Sequence, residues 1–178
     1  MLHLIIGPPR SGKSEHAERL VGSFAGTTVY VGTLPTSIFY QRTIQVHRDR
    51  RPPSWTLLEL TGNLDPDFGL LRDAERSFDN LLIDGVTFYL ARVCGLFGPP
   101  RMPLSEGAPL LYSLRHHQGQ IVIVDMPVSR QMAPAERTFV RNIHIVILRI
   151  ADSIHWFAHG EPRPIGRTAA LQRMHPCT

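Results

Sequence analysis

The sequence predicts an α/β fold in which a mostly parallel β-sheet is flanked by helices. Two observations predict it: several continuous apolar runs have strand length, and helical segments alternate with some of them. The strand candidates are Leu2–Ile6, Thr28–Thr33, Asn80–Asp84, Gln120–Asp125 and Ile154–His159. The helical candidates are Ser14–Ser23, Phe39–Arg48 and part of Gly107–His117. Runs that are apolar throughout are typical of parallel strands, because helices cover both faces of such a sheet.

A glycine-rich loop connects the first strand to the first helix, and its spacing is Gly-x-x-x-x-Gly-Lys-Ser. Such a P-loop places backbone N–H groups around a phosphate at the N-terminus of a helix. The candidate phosphate-binding residues are Gly7, Pro8, Pro9, Arg10, Ser11, Gly12, Lys13 and Ser14. Lys13 would reach the β- and γ-phosphates, and the Ser14 hydroxyl would bind Mg²⁺. The predicted fold class is therefore P-loop NTPase-like.

The alternative interpretation of the loop is a chance match in an ordinary strand–turn–helix. Composition favours the phosphate site, because Lys13 is the only lysine among 19 lysines and arginines. Arginine would not replace it, since a guanidinium is a planar fork and an ammonium is a compact point charge.

Length and composition indicate a soluble globular protein of 178 residues, 43% hydrophobic and 19% charged. We expect residues 1–160 to form one nucleotide-binding domain. Periodicity is lost after Gly160, so residues 161–178 are expected to be a mostly unstructured, flexible tail. No apolar run reaches the ~18–20 residues of a membrane span, and no secretory signal is visible. The predicted location is the cytoplasm.

The net charge is +4, but the basic residues are scattered, so small anions rather than nucleic acid are the expected partners.

The segment Asn142–Asp152 is ambiguous. Its β-branched residues favour a strand, whereas its length and its position before another strand favour a buried helix. We favour the helix.

A second cluster of functional residue types follows the second strand. His47 is followed directly by Arg48, Asp49, Arg50 and Arg51. An imidazole nitrogen can be a nucleophile towards phosphorus, and neighbouring guanidinium groups can hold the phosphate. A solvated basic end of a helix would give the same pattern, so the cluster alone leaves both interpretations open.

Together, these motifs resemble those of the bifunctional adenosylcobinamide kinase/adenosylcobinamide-phosphate guanylyltransferase family of cobalamin biosynthesis. The resemblance rests on "GPPRSGKSEHAERL", "VYVGTL", "TIQVHRDRRPPSWTLLE" and "LLIDGVT", in this order and at similar spacing. It departs in the C-terminal half, where "VDMPVSRQMAP" lacks the glycines that the family has there.

The resemblance implies a role for each matching residue. His47 would become covalently guanylylated by GTP, and Ser14 and Asp84 would bind Mg²⁺. The implied nucleotide-binding residues, besides the P-loop, are Gly32, Thr33, Leu34, Arg48, Asp49, Arg50, Arg51, Glu59 and Asp84. The implied substrates are GTP and/or ATP and the corrinoid adenosylcobinamide, and the implied assembly is a homotrimer.

Several alternatives remain open from the sequence. Asp125 also ends an apolar strand and is the rival Mg²⁺ ligand; Asp84 is favoured because Thr87 follows it as in the family. The divergent second half is also compatible with a P-loop kinase for another small molecule, or with a nucleotide-binding module that lacks guanylyl transfer.

Overall fold

The computed structural model describes residues 1–34, 41–95, 109, 111–128, 132–158 and 160–175, without the side chains of Thr43 and Leu64. The strands are β1 (Leu2–Ile6), β2 (Thr28–Gly32), β3 (Thr56–Glu59), β4 (Asn80–Asp84), β5 (Gln120–Asp125), β6 (Ser153–Ala158) and β7 (Glu161–Pro164). The helices are α1 (Lys13–Gly22), α2 (Gln41–Arg50), α3 (Leu64–Ser77), α4 (Val86–Val93), α5 (Pro134–Ile150) and α6 (Arg167–Met174). Residues 111–114 are also helical.

All seven strands form one sheet, in the order β3-β2-β4-β5-β1-β6-β7. Every neighbouring pair is parallel except β6 and β7. Register pairs Ile6 with Asp125 and Gly32 with Asp84. The carboxyl ends of β1, β2, β4 and β5 therefore meet at one edge, where open α/β sheets bind their ligands. The predicted α/β fold with a mostly parallel sheet is confirmed.

The core lies on both faces of this sheet. Along β1, Leu4 belongs to a large apolar cluster on one face, and Ile5 belongs to a smaller cluster on the other. Helix α1 covers the smaller cluster through Ala17 and Val21. Because successive side chains of a strand point to opposite faces, burial on both sides makes each central strand apolar throughout.

The strand predictions for β1, β4 and β5 match the observed bounds, and β2 ends one residue earlier than predicted, at Gly32. The ambiguous segment that begins at Asn142 is helical up to Ile150, inside α5. Three of its β-branched residues, Ile143, Ile147 and Ile150, are buried, so tertiary packing overrides their preference for strands. Helix α2 begins at Gln41 among the described residues and ends at Arg50, two residues beyond the prediction. Residues 35–40 and His159 lie outside the described part.

The expectation of an unstructured segment after Gly160 is wrong for residues 161–174. Strand β7 pairs with β6, and α6 buries Ala170 and Met174 completely. The guanidinium of Arg167 donates to the carbonyls of Leu148 and Ala151, both at 2.8 Å. The side of α6 that packs on the core has only two fully buried residues, spaced i and i+4. A pattern of two residues is too short to predict a helix from the sequence.

Among the described residues, no helix combines the length and the apolar character needed to cross a membrane.

Candidate active site

A cavity of about 950 Å³ opens at the carboxyl edge of the sheet, between the P-loop and α2. It is at the upper end of the ~300–1,000 Å³ typical of small-molecule sites. The predicted site residues that line it are Pro9, Arg10, Ser11, Gly12, Lys13, Ser14, Gly32, Thr33, Leu34, His47, Arg50, Arg51, Glu59 and Asp84. Gly7, Pro8, Arg48 and Asp49 are not part of its lining. Both sequence motifs therefore face one space.

The loop after β1 has the backbone of an anion-binding turn. Arg10 and Gly12 have positive φ values of 58° and 89°, and α1 begins directly after Gly12. A Cβ on Gly7 would lie 2.5 Å from the carbonyl oxygen of Phe157, so the close approach of β6 requires glycine there. Within the described part of the chain, the buried Ser11 hydroxyl oxygen lacks a hydrogen-bond partner. A phosphate oxygen would supply one.

Lys13 is held as a nearly buried ammonium at the base of the cavity. Its side chain is only 7% exposed, and Nζ donates to the carbonyl of Pro8 at 3.2 Å. Burial lowers the pKa of Lys13, and the charges of Asp84 and Asp125 partly oppose that change. An ammonium in this position gains from any anion that enters the cavity, because it is poorly solvated.

The two strand-end carboxylates differ in what they contact. Asp125 is 3% exposed; its Oδ2 accepts from the hydroxyl and the N–H of Thr87, and its Oδ1 accepts from the N–H of Met126 at 2.9 Å. Burial raises the pKa of Asp125 to about 6 despite these hydrogen bonds. Among the hydrogen bonds found in the described residues, the carboxylate of Asp84 accepts only the Tyr30 hydroxyl, at 3.2 Å, and the Asp84 side chain is 21% exposed. Thr87, the residue used to favour Asp84 from the sequence, thus contacts Asp125 instead.

The oxygen donors at this edge fit Mg²⁺, which prefers carboxylates, hydroxyls and phosphate oxygens. Ser14 and Asp84 both line the cavity beside Lys13. Among the described residues, no cluster of three or more histidine, cysteine, aspartate or glutamate side chains could hold a metal by itself. A magnesium ion here would therefore take its remaining ligands from water and from the phosphate oxygens of a bound nucleotide.

His47 enters the cavity from the last turns of α2. Its Nδ1 lies 3.5 Å from Oε1 of Glu18, 3.8 Å from Oδ2 of Asp84 and 3.3 Å from Nη2 of Arg50. Arg50 also pairs with Glu15 at 2.9 Å and with Glu18 at 3.1 Å. These contacts fasten α2 onto α1, so that the histidine motif faces the P-loop.

Arg48, Asp49, Arg51 and Thr33 make contacts within the protein. Arg48 forms an ion pair with Glu59, and Asp49 accepts from Gln45 on the outside of α2. The guanidinium of Arg51 lies 3.2 Å from the centre of the Tyr30 ring. The Thr33 hydroxyl donates to the carbonyl of Asp84 and links β2 to β4. These roles are structural in the described conformation, although Arg51, Thr33 and Glu59 also border the cavity.

Sequence reasoning missed several residues that border or complete the cavity. They are Glu18, Tyr30, Ile44, Leu57, Phe88 and Met126. The apolar members come from separate elements, so nothing in the sequence links them. Glu18 could have been predicted from the sequence, because it lies four residues after Ser14 and therefore on the same face of α1.

Two comparisons with known proteins bear on this site. The model of the family described as cobinamide kinase / cobinamide phosphate guanyltransferase matches residues 3–160, a span that contains every candidate site residue. The bifunctional adenosylcobalamin biosynthesis protein CobP of Pseudomonas aeruginosa is 29% identical over 172 residues, which cover 93% of this chain and 97% of that protein.

Proposed function

Because the chain belongs to the cobinamide kinase / cobinamide phosphate guanyltransferase family, we propose that one cavity performs both transfers and that His47 carries the GMP between them. The chain is a transferase of cobalamin biosynthesis, with kinase and guanylyltransferase activity. The observation that carries the proposal is the position of His47, which lines the same cavity as Lys13 and Ser14. A solvated basic end of a helix would not bring an imidazole to the P-loop.

In the kinase reaction, a hydroxyl of the corrinoid attacks the γ-phosphorus of a nucleoside triphosphate. The bond between this phosphorus and the β–γ bridging oxygen breaks, a nucleoside diphosphate leaves with that electron pair, and the hydroxyl releases its proton to solvent. The protein contributes mainly position and charge in such transfers. Lys13 stabilises the charge that develops on the phosphate oxygens. The loop backbone, which has positive φ at Arg10 and Gly12, holds the phosphate chain.

In the guanylyl transfer, an unprotonated imidazole nitrogen of His47 attacks the α-phosphorus of GTP. A nitrogen–phosphorus bond forms, the bond to the α–β bridging oxygen breaks, and pyrophosphate leaves with that electron pair. A phosphate oxygen of the phosphorylated corrinoid then attacks the same phosphorus and releases His47. Two easier steps replace one difficult transfer, as in other covalent catalysis.

Magnesium would be held by Ser14 and Asp84 together with nucleotide phosphate oxygens, and when bound it neutralises phosphate charge. The corrinoid is proposed to be adenosylcobinamide, the phosphate donor GTP and/or ATP, the assembly a homotrimer and the location the cytoplasm. The corrinoid, the donor and the assembly rest on the family resemblance, whereas the location is the prediction made from the sequence itself. Steady-state rates with each nucleotide and sedimentation of the purified protein would test the donor and the assembly.

The test of the covalent step uses purified protein, Mg²⁺ and GTP labelled on the α-phosphate, with γ-labelled GTP in parallel. We expect α-label alone on the denatured protein, lost in acid and stable in base, as for a phosphoramidate. His47→Asn should abolish this label and keep GTP binding, whereas His116→Asn, a change at an exposed residue outside the cavity, should keep both.

Two outcomes would contradict the proposal. Absence of label from wild-type protein that binds GTP would favour a P-loop kinase or nucleotide-binding module without guanylyl transfer. Loss of GTP binding in His47→Asn would give His47 a structural role instead.

A further inference from the structure

Glu18 lies where it can control which nitrogen of His47 is available for chemistry. It stands on α1, and its side chain is only 10% exposed although it is a carboxylate. Its Oε1 faces Nδ1 of His47 at 3.5 Å and accepts from Nη2 of Arg50 at 3.1 Å. His47 and Arg50 are three residues apart on α2, so one carboxylate oxygen spans both.

The contacts of Nδ1 decide the tautomer of His47. A guanidinium can only donate hydrogen bonds, and an ionised carboxylate can only accept them. Arg50 has two carboxylate acceptors, Glu15 at 2.9 Å and Glu18 at 3.1 Å, both closer than Nδ1 at 3.3 Å. Nη2 of Arg50 carries a second proton that it can donate to a bare Nδ1, so two arrangements compete. The ionised carboxylate of Glu18 faces Nδ1 at 3.5 Å and favours the arrangement in which Nδ1 carries the proton.

Asp84 is the other carboxylate near Nδ1, but it is less suited to this role. Its Oδ2 lies 3.8 Å from Nδ1, beyond hydrogen-bond distance, and accepts the Tyr30 hydroxyl instead. The pKa of Glu18 supports its role as the acceptor. Burial raises that pKa, but the contacts with His47 and Arg50 together outweigh it and lower the pKa, so that the carboxylate stays ionised.

We propose that Glu18 is a positioning residue that holds the proton on Nδ1 of His47, so that Nε2 is the nitrogen that forms the bond to the α-phosphorus. This proposal rests on the proposed covalent role of His47. The proton remains on Nδ1 throughout. When Nε2 donates its lone pair to the α-phosphorus in the first step, the ring therefore becomes positively charged. In the second step this proton lets His47 leave as a neutral imidazole. Glu18 stabilises the positive charge that the ring carries between the two steps.

The first experiment compares Glu18→Gln with Glu15→Gln. Both changes remove one carboxylate partner of Arg50, but only Glu18 also contacts His47. We expect the rate of α-label incorporation to fall by ~10²–10⁴-fold in Glu18→Gln, the range for loss of a residue that orients a catalytic histidine. The fall in Glu15→Gln should be at least about tenfold smaller, and the Kd for GTP should change by less than about threefold in both variants.

The second experiment reads the protonated nitrogen of His47 directly in the wild-type protein. In protein labelled with ¹⁵N in its imidazole rings, the spectrum of His47 is assigned by its loss in His47→Asn. We expect a protonated Nδ1 and a bare Nε2 in the unliganded wild type, and GMP attached to Nε2 in the intermediate. Glu18→Gln should shift the population towards the other tautomer.

The outcomes separate the two proposals. GMP attached to Nδ1, a bare Nδ1 in the wild type, or wild-type labelling rates in Glu18→Gln would overturn the role of Glu18 while the covalent intermediate stands. No label on the wild-type protein would overturn the covalent intermediate itself and the role of Glu18 with it.

Discussion

Thr87 donates both its side-chain hydroxyl and its backbone N–H to Oδ2 of Asp125, and this pair ties the first turn of α4 to the end of β5. Asp125 is thereby engaged within the protein, with its other oxygen on the N–H of Met126. Asp84, at the end of the neighbouring strand, keeps more of its carboxylate exposed to the cavity. Both aspartates border the cavity, but the carboxylate of Asp84 makes fewer hydrogen bonds within the protein than that of Asp125.

We therefore expect opposite effects from two matched substitutions. Asp84→Asn should lower kcat of both transfers by ~10²–10³-fold and raise the Mg²⁺ concentration for half-maximal rate, because one charged metal ligand is lost. Asp125→Asn should leave the Mg²⁺ requirement near its wild-type value and lower the free energy of unfolding by ~1–3 kcal/mol, through weaker buried hydrogen bonds. Rates measured across a Mg²⁺ titration and urea unfolding of each variant check both. The reverse pattern would assign the metal to Asp125.

Two glycines offer a contrast between a constrained site and an open one. In Gly7→Ala the new Cβ would lie 2.5 Å from the carbonyl oxygen of Phe157, so the P-loop must shift away from β6. We expect weaker GTP binding and a loss of ~1–3 kcal/mol of stability. A Cβ at Gly69, on the exposed side of α3, would meet no atom within 4 Å. Gly69→Ala should therefore raise stability by ~0.5–1 kcal/mol and leave GTP binding unchanged.

Calorimetry with GTP and urea unfolding of both glycine variants provide the measurements. Equal effects on binding in the two variants would show that contact with Phe157 does not shape the loop.

The sequence allowed prediction of those parts of the fold and site that depend on local pattern. The central strands β1, β4 and β5 are buried on both faces and are visible as apolar runs, and the P-loop and His47 motifs have fixed spacing. Strand β3 was missed because it lies at the sheet edge with mostly exposed residues. Helix α3 was missed as well; its Pro66 resembles a helix breaker but lies in the first turn, where no backbone N–H is needed.

The contacts that complete the site could not be predicted from local pattern. Tyr30 meets Asp84 across 54 residues, and His47 meets Glu18 from another helix. Such pairs exist only once β2 lies beside β4 and α2 lies on α1. Sequence spacing identifies which residues carry the chemistry, whereas the tertiary structure decides which of them are already engaged with one another.

The packing of α6 gives a prediction about the segment that the sequence suggested was unstructured. Met174 is fully buried, and its carbonyl accepts from the N–H of Val128 at 2.9 Å. Met174→Ala should lower the free energy of unfolding by ~2–5 kcal/mol, the range for truncating a buried side chain of this size. Gln172→Ala, at an exposed position of the same helix, should change it by less than ~0.5 kcal/mol. Urea unfolding distinguishes them, and indistinguishable curves would mean that α6 does not contribute to the core.

A pair of histidines joins α5 to the residue that follows α6. Nδ1 of His144 lies 2.9 Å from Nε2 of His175, and His144 is fully buried. One ring donates and the other accepts, so the contact is lost when both rings are protonated. Burial lowers the pKa of His144, with a contribution from the neighbouring His175, and burial together with the charge of Arg141 lowers the pKa of His175.

The sign of the resulting pH dependence follows from the proton balance. Below the ordinary histidine pKa of about 6.5, the unfolded chain takes up protons that the folded protein excludes from this pair. The stability present at neutral pH is therefore lost as pH falls, by up to about 1.4 kcal/mol per pH unit for each histidine that stays neutral in the fold. His144→Gln removes one titrating ring and keeps an amide that can bond to His175, so its curve of unfolding free energy between pH 8 and pH 5 should be flatter. His116→Gln, at an exposed position, should follow the wild-type slope. Parallel curves for the wild type and His144→Gln would show that this pair does not make the fold sensitive to acid.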